Sequence, residues 1–261
     1  MLRFAAASAA ALLLASTAFA QSNEELAKQL ANPVASLISV PFQYNYNRGF
    51  PGGEGEQSYV NIQPVIPFRL NDHWNVISRT ILPVVWQDIS DAEGSQFGLG
   101  ATTQSFFFSP RTPSGGVIWG IGPAFSVPTA TDGVAPNQWG AGITGVVLKQ
   151  DGPWTVGALG NHIWSVTGNS RYGDASSTFL QPFLNYTTKS ATSYALNTEA
   201  TYDWEAEEWS VPIDALVNQL FTVGGQRLQA GAGVRYWAES PEGGPRGWGA
   251  RAVLTFLFPA G

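Results

Sequence analysis

The sequence predicts an all-β protein: an antiparallel up-and-down transmembrane β-barrel of about twelve strands, with a short N-terminal helix. Three observations carry that expectation. Segments of about 12 to 15 residues alternate apolar and polar positions, the period of a strand with two unlike faces. The polar face is made of Gln, Asn, Thr, Ser and Gly, where a water-facing sheet would hold more Lys and Glu. Short connections alternate with long Gly-rich ones, as in a meander with one end periplasmic and the other exterior. Soluble strands run to about five or six residues, whereas a tilted membrane-spanning strand needs about 9–11.

The chain opens on residues 1–20, "MLRFAAASAAALLLASTAFA", which reads as a signal peptide. A basic start, an apolar run and the small-x-small ending Ala18-Phe19-Ala20 supply its three parts. An uncleaved anchor is the alternative. Residues 21–35 read as a periplasmic segment with the short helix. Ser22 is its N-cap, Glu24 and Glu25 lie in its first turn, and Asn32-Pro33 stop it. Residues 36–261 are the barrel.

The strands follow in order. The stretch "SVPFQYNYN", in the first strand at about 36–47, sets Val40, Phe42, Tyr44 and Tyr46 against Gln43, Asn45 and Asn47. The second, about 57–70, opposes Val60, Ile62, Ile66, Phe68 and Leu70 to Asn61, Gln63 and Arg69. In the third, about 73–87, Trp74, Val76, Leu82, Val84 and Trp86 oppose Asn75, Arg79 and Gln87. The fourth, about 95–109, runs through "FGLGATTQSFFF". The fifth, about 116–129, has Val117, Trp119, Ile121, Phe125 and Val127 opposite Gly120, Gly122, Ala124 and Ser126. The sixth and seventh fall at about 138–149 and 153–167, the eighth at about 176–188. The ninth, about 192–203, sets Tyr194, Leu196, Ala200 and Tyr202 against Asn197, Glu199, Thr201 and Asp203. Trp209 and Ile213 oppose Asp214 in the tenth, about 208–220. Val234 and Tyr236 oppose Arg235 in the eleventh, about 226–238. Leu254, Phe256 and Phe258 oppose Arg251 in the last, about 247–258.

"LNDH", "KQDGP" and "KSATS" are the short connections. "NRGFPGGEGEQ", "DISDAEGSQ", "TATDGVAPNQ", "GNSRYGDASS" and "AESPEGGPRG" are the long ones. An even strand count puts both barrel ends of the chain at the short-turn end. Tyr46, Trp74, Trp86, Trp139, Trp154, Trp164, Tyr186, Tyr202, Trp204, Trp209, Trp237 and Trp248 lie near strand ends, where two interfacial girdles would form. A secreted soluble β-sandwich or barrel also alternates and is the competing architecture. Pro41, Pro64, Pro67, Pro83, Pro123, Pro182 and Pro212 fall inside strands, so bulges or local breaks are expected where a ladder donor is missing.

Composition narrows the partners. Loss of the leader removes Arg3, leaving 12 Lys+Arg against 19 Asp+Glu, a formal charge of −7. That balance argues against nucleic acid. With no Cys in the chain, packing and backbone pairing must hold it together. Charged residues are 12% and aromatics 13%, a charge share about half that of soluble domains. The expected location is the bacterial outer membrane. The expected partners are membrane lipids and lipopolysaccharide, a small-molecule solute and the barrel-assembly machinery.

The segments "NVISRTILPVV", "QSFFFSP", "GPWTVGALGNHIWSVTG", "FLQPFLNY", "DWEAEEWSVP" and "LTFLFP" carry a resemblance. Across about residues 33–259 the chain resembles a family of Gram-negative outer-membrane β-barrels assigned to transport. Some of these are linked by name to the meta-cleavage pathway of phenol degradation. The resemblance implies an outer-membrane barrel and a transported solute, with no catalytic residues to carry over. Several prolines sit in its shared motifs, which implies that the fold accommodates them.

If the apolar parity meets lipid, the lumen receives Arg69, Arg79, Glu199, Asp203, Asp214, Arg235 and Arg251, the candidate pore-lining or constriction residues. Arg79, Arg251, Glu199 and Asp214 fall nearest the middle depth. Two compatible roles stand open: a structural ion-pair cluster and a charged constriction that selects solutes. An enzymatic site is the rival class. Of the two histidines, His73 falls in a short turn, and His162 shares a parity with Trp154 and Trp164 while Ser165 and Asn161 lie on the other. A base must reach its nucleophile's proton, so only a neighbouring strand could complete such a set. The glycines of "GLGATTQ" lack the Lys-Ser/Thr of a phosphate loop. The acids of "DWEAEEW" and "DISDAEG" lack EF-hand spacing. No catalytic residue, metal or cofactor is expected. The function expected is passive passage of small solutes, hydrophobic or aromatic ones included. The alternatives are a structural or lipid-contacting barrel with a filled lumen, and an outer-membrane lipid hydrolase.

Overall fold

The computed structural model describes residues 22–51, 55–89, 94–166 and 172–258. The leader of residues 1–20 and most of the "DISDAEG" acids lie outside them. Helix α1 (Asn23–Leu30) is followed by β1 (Ile38–Arg48), β2 (Glu56–Ile62), β3 (Val65–Arg69), β4 (Trp74–Asp88), β5 (Gln96–Leu99) and β6 (Thr102–Pro110). Then come β7 (Val117–Val127), β8 (Gly140–Asp151), β9 (Trp154–Ser165), β10 (Ser176–Thr187), β11 (Thr192–Thr198), β12 (Ala200–Asp203), β13 (Glu208–Val223), β14 (Gln226–Glu239) and β15 (Gly247–Phe258). β2 with β3, β5 with β6, and β11 with β12 are each one stave with an interruption, so the segments form a closed antiparallel barrel of twelve staves. β15 closes on β1, with Ile38 facing Phe258 at the short-turn end.

The parities hold. Phe42 and Tyr44 lie on the outer wall, whereas Asn45 and Asn47 are buried in the lumen. The outer face is apolar around the ring, from Phe68 and Ile121 to Val147, Leu196, Val217 and Leu254. Interfacial aromatics pair at both ends. Trp154–Tyr186 and Trp74–Trp119 meet near the short turns; Trp86–Phe97, Tyr236–Trp248 and Tyr202–Trp204 meet near the long loops. Trp237 departs from the expected girdle. It lies on the inward parity of β14, donates from Nε1 to Asn47 Oδ1 at 3.1 Å, and carries the Arg235 guanidinium over its ring. The connection at "DWEAEEW" is a tight turn, Trp204 to Glu207, because β12 and β13 pair up to Asp203 and Glu208.

Each interruption lies across from a proline. Gln63-Pro64 breaks β2 from β3 opposite Pro41, whose carbonyl accepts from Gln63 N–H at 2.9 Å. Gly100-Ala101 separates β5 from β6 opposite Pro83, whose carbonyl accepts from Gly100 N–H at 2.9 Å. There the register against β4 steps by one residue, a β-bulge. Glu199 separates β11 from β12 opposite Pro212, whose carbonyl accepts from Glu199 N–H at 3.2 Å. A proline supplies a carbonyl but no N–H, so the facing strand loses one ladder bond and the stave yields there.

The N-terminal segment docks at the short-turn end. Ser22 and Glu25 form a reciprocal capping box. Leu26 and Ala27 of α1 pack with Ala35, Leu37, Ala191, Leu220 and Leu257. The chain then turns inward, and Val34 enters the lumen against Ile77, Phe107, Val146, Leu148 and Leu159. Gln150 donates to the Lys28 carbonyl at 2.8 Å, and Asn75 to Ser36 Oγ at 2.9 Å.

Candidate functional site: a charged partition in the lumen

Four staves contribute the centre of the site. Register places Asp214 of β13 beside Arg235 of β14, and Arg251 of β15 beside Asn45 of β1. Small residues face the arginines: Gly233 lies across from Arg251 and Gly249 across from Arg235. Glu199 joins them from the β11–β12 break, so the missing ladder donor of Pro212 sits at the acid both arginines use.

The arginines are fully engaged. Arg235 donates from Nε to Asp214 Oδ1 at 2.9 Å, from Nη2 to Asp214 Oδ2 at 3.1 Å and Glu199 Oε2 at 2.7 Å, and from Nη1 to the Tyr59 hydroxyl at 2.7 Å. Arg251 donates from Nε to Asn45 Oδ1 at 2.7 Å and forks onto Glu199 at 2.9 and 2.6 Å. Its Nη1 also lies 3.2 Å from Asp214 Oδ2. Two paired, hydrogen-bonded arginines and two acids satisfy what burial of charge demands. The side chains of Arg235, Arg251 and Asp214 are at most 2% exposed, whereas Glu199 is 20% exposed and opens on the lumen.

Arg79 of β4 reaches the lumen from the opposite side. Among the described residues it makes no ion pair; its one hydrogen bond runs from Nη2 to Gln63 Oε1 at 3.3 Å. Two cavities meet at this level. The larger, about 450 Å³, lies toward the long loops, between walls such as Ile81, Leu159 and Phe179. The smaller, about 240 Å³, lies over residues 29–33. Gln63, Arg79, Gln181 and Glu199 border both and form the partition between them.

Five of the seven residues expected in the lumen, Arg79, Glu199, Asp214, Arg235 and Arg251, come together at mid-depth. Two do not. Arg69 has the inward parity but stands at the end of β3, exposed and paired with Asp72 in the turn. Asp203 ends β12 and accepts from the backbone N–H groups of Glu205 and Ala206, which ties it into the long-loop-end turn. Parity fixes a face; only position along the stave fixes depth. Tyr59 and an amide belt are further luminal residues. Asn47 donates to Gln57, Gln57 to Gln87 and Gln87 to Gln96, at 3.2, 3.0 and 2.8 Å. All sit on the inward parity, so the signal was present, but which amides meet depends on stagger between staves.

On the outer wall, His162 finds neighbours from the adjacent strand. Its Nδ1 lies 2.7 Å from Thr178 Oγ1 and its Nε2 lies 3.4 Å from Ser176 Oγ. Trp164 lies against its ring at 4.0 Å between centroids, and Trp204 Nε1 donates to Thr178 Oγ1 at 2.8 Å.

No protein-family model and no curated protein matches the chain. Solved structures do. An outer membrane channel from Pseudomonas putida F1 superposes with a TM-score of 0.66 at 16% identity, over 85% of this chain and 96% of that one. Outer membrane phospholipase A from Escherichia coli gives 0.49 at 10% identity, over 86% and 91%. A Pseudomonas aeruginosa FadL homologue gives 0.40 at 10% identity, over 89% and 93%. The likeness to the channel shows the fold, that of an outer-membrane β-barrel.

Proposed function

We propose that this chain is an outer-membrane barrel through which small solutes pass passively, hydrophobic or aromatic ones included. The observation that carries the reading is the pair of luminal cavities stacked on either side of the Gln63–Arg79–Gln181–Glu199 partition. A lumen used only for stability has no need of two cavities that share a charged wall. The partition is the constriction, and it selects solutes by size and field as charged rings do in other pores. The link to phenol breakdown implied by the sequence resemblance belongs to the same proposal, as does the outer-membrane location. Lipids and lipopolysaccharide meet the girdles, and the assembly machinery inserts the barrel.

The second reading is a structural or lipid-contacting barrel with a closed lumen, favoured by Val34 seated among Ile77, Phe107 and Leu159. Current through the purified protein in planar bilayers, with solute uptake by liposomes, separates the two. We assign no enzymatic role to His162. Trp164 covers its ring, and the neighbouring β9 and β10 residues pair in the ladders. Purified protein and His162→Ala should therefore give equal background rates on phospholipid. Hydrolysis lost in the variant would establish the lipid-hydrolase alternative.

A further inference from the structure

The charged cluster at and behind the partition carries more positive than negative charge. Three arginines, Arg79, Arg235 and Arg251, share it with two acids, Glu199 and Asp214. Both acids are taken: all four of their oxygens already accept from, or lie within 3.2 Å of, Arg235 and Arg251. Arg79 is left with one long bond to a neutral amide. A guanidinium presents five donors in a planar fork that fits a carboxylate bidentately. In a confined lumen its charge is weakly screened.

Above Arg79 the cavity of about 450 Å³ has an apolar stretch of wall, Ile81, Leu159, Ile163 and Phe179, set among polar side chains that include Asn61, Asn161, Gln181 and Thr201. That volume lies within the range of about 300–1,000 Å³ of small-ligand sites.

We propose that the larger cavity binds a small amphipathic monocarboxylate, its carboxylate on Arg79 and its apolar body against Ile81, Leu159, Ile163 and Phe179. The inference rests on the solute-passage reading and gives its solute a chemical class. One negative charge brings the five-residue cluster to neutrality. A second would face the part-exposed Glu199 with no cation to meet it, so the site disfavours dianions. The apolar walls likewise disfavour small hydrated anions, which leave them uncovered.

The test is calorimetric titration of the full protein in detergent with sodium benzoate, benzamide and sodium acetate. Benzoate should bind saturably at one site, with benzamide and acetate at least tenfold weaker. Arg79→Gln should weaken benzoate at least tenfold and leave benzamide unchanged, while Arg79→Lys should retain part of the affinity. Heat-modifiable gel mobility reports whether each variant folds; if Arg79→Gln does not, the wild-type comparison of benzoate with benzamide decides. Equal binding of those two probes, wild-type affinity in a folded Arg79→Gln, or no saturable benzoate binding would overturn the proposal. Titration in detergent needs no open path. Benzoate binding without conductance would defeat only the passage reading, and conductance without benzoate binding only this one.

Discussion

At the scale of single residues, the arginines of one lumen do different work because their neighbours differ. Arg251 gives every nitrogen to an acceptor, and removing it leaves Glu199 Oε1 and the buried Asn45 Oδ1 without a donor. Arg251→Ala should destabilise the barrel by about 3–5 kcal/mol, the cost of breaking a buried pair, read as a lower temperature of heat-induced mobility change. Among the described residues Arg79 pairs with no acid, so Arg79→Ala should leave that temperature nearly unchanged and shift ion preference toward cations. The reverse pattern, stability lost at Arg79 and conductance altered without stability loss at Arg251, would contradict the assignment. Alternation alone was enough to place all five clustered charges on the inner face. It could not separate Arg69 and Asp203 from them, because a residue's depth depends on where its stave ends. Nor could it tell Trp237 from the girdle tryptophans, since an aromatic near a strand end suits either face until the register is known.

Among the elements, prolines and glycines shape the staves. A proline in one strand coincides with a break or bulge in the next, at Pro41, Pro83 and Pro212. That the seven strand prolines would disturb the ladders was legible; which ladder each would disturb needed the pairing. The closest backbone approach near the cluster is at Gly233, where an added Cβ would stand 2.0 Å from the Ala215 carbonyl oxygen. Gly233→Ala should push β13 from β14 and uncouple Asp214 from Arg235, giving a heat-labile barrel; a variant as heat-resistant as wild type would show that the strands adjust. The helix was legible from Ser22, Glu25 and Pro33, since capping is local chemistry. Its docking was not, because the apolar patch that receives Leu26 is assembled from Ala191, Leu220 and Leu257, far apart in the chain. Deleting residues 21–35 should enlarge single-channel conductance by opening the short-turn mouth. Unchanged conductance would mean the segment does not bound the path.

For the whole molecule, the strand count, the lipid-facing parity and the closure of the last strand on the first follow from alternation and segment length. A closed barrel with an apolar outside has one place left for its polar residues. The shape of the lumen does not follow. Its two cavities and the partition between them come from stagger, from the Glu199 break and from residues 29–33, none of which a periodic pattern encodes. The central claim is that this partition is a passage. Single-channel recording of the purified protein in planar bilayers tests it most directly. The account predicts discrete current steps whose ion preference shifts toward cations in Arg79→Ala. Bilayers that stay silent with both the wild-type protein and the variant lacking residues 21–35, together with no solute uptake by liposomes, would contradict it.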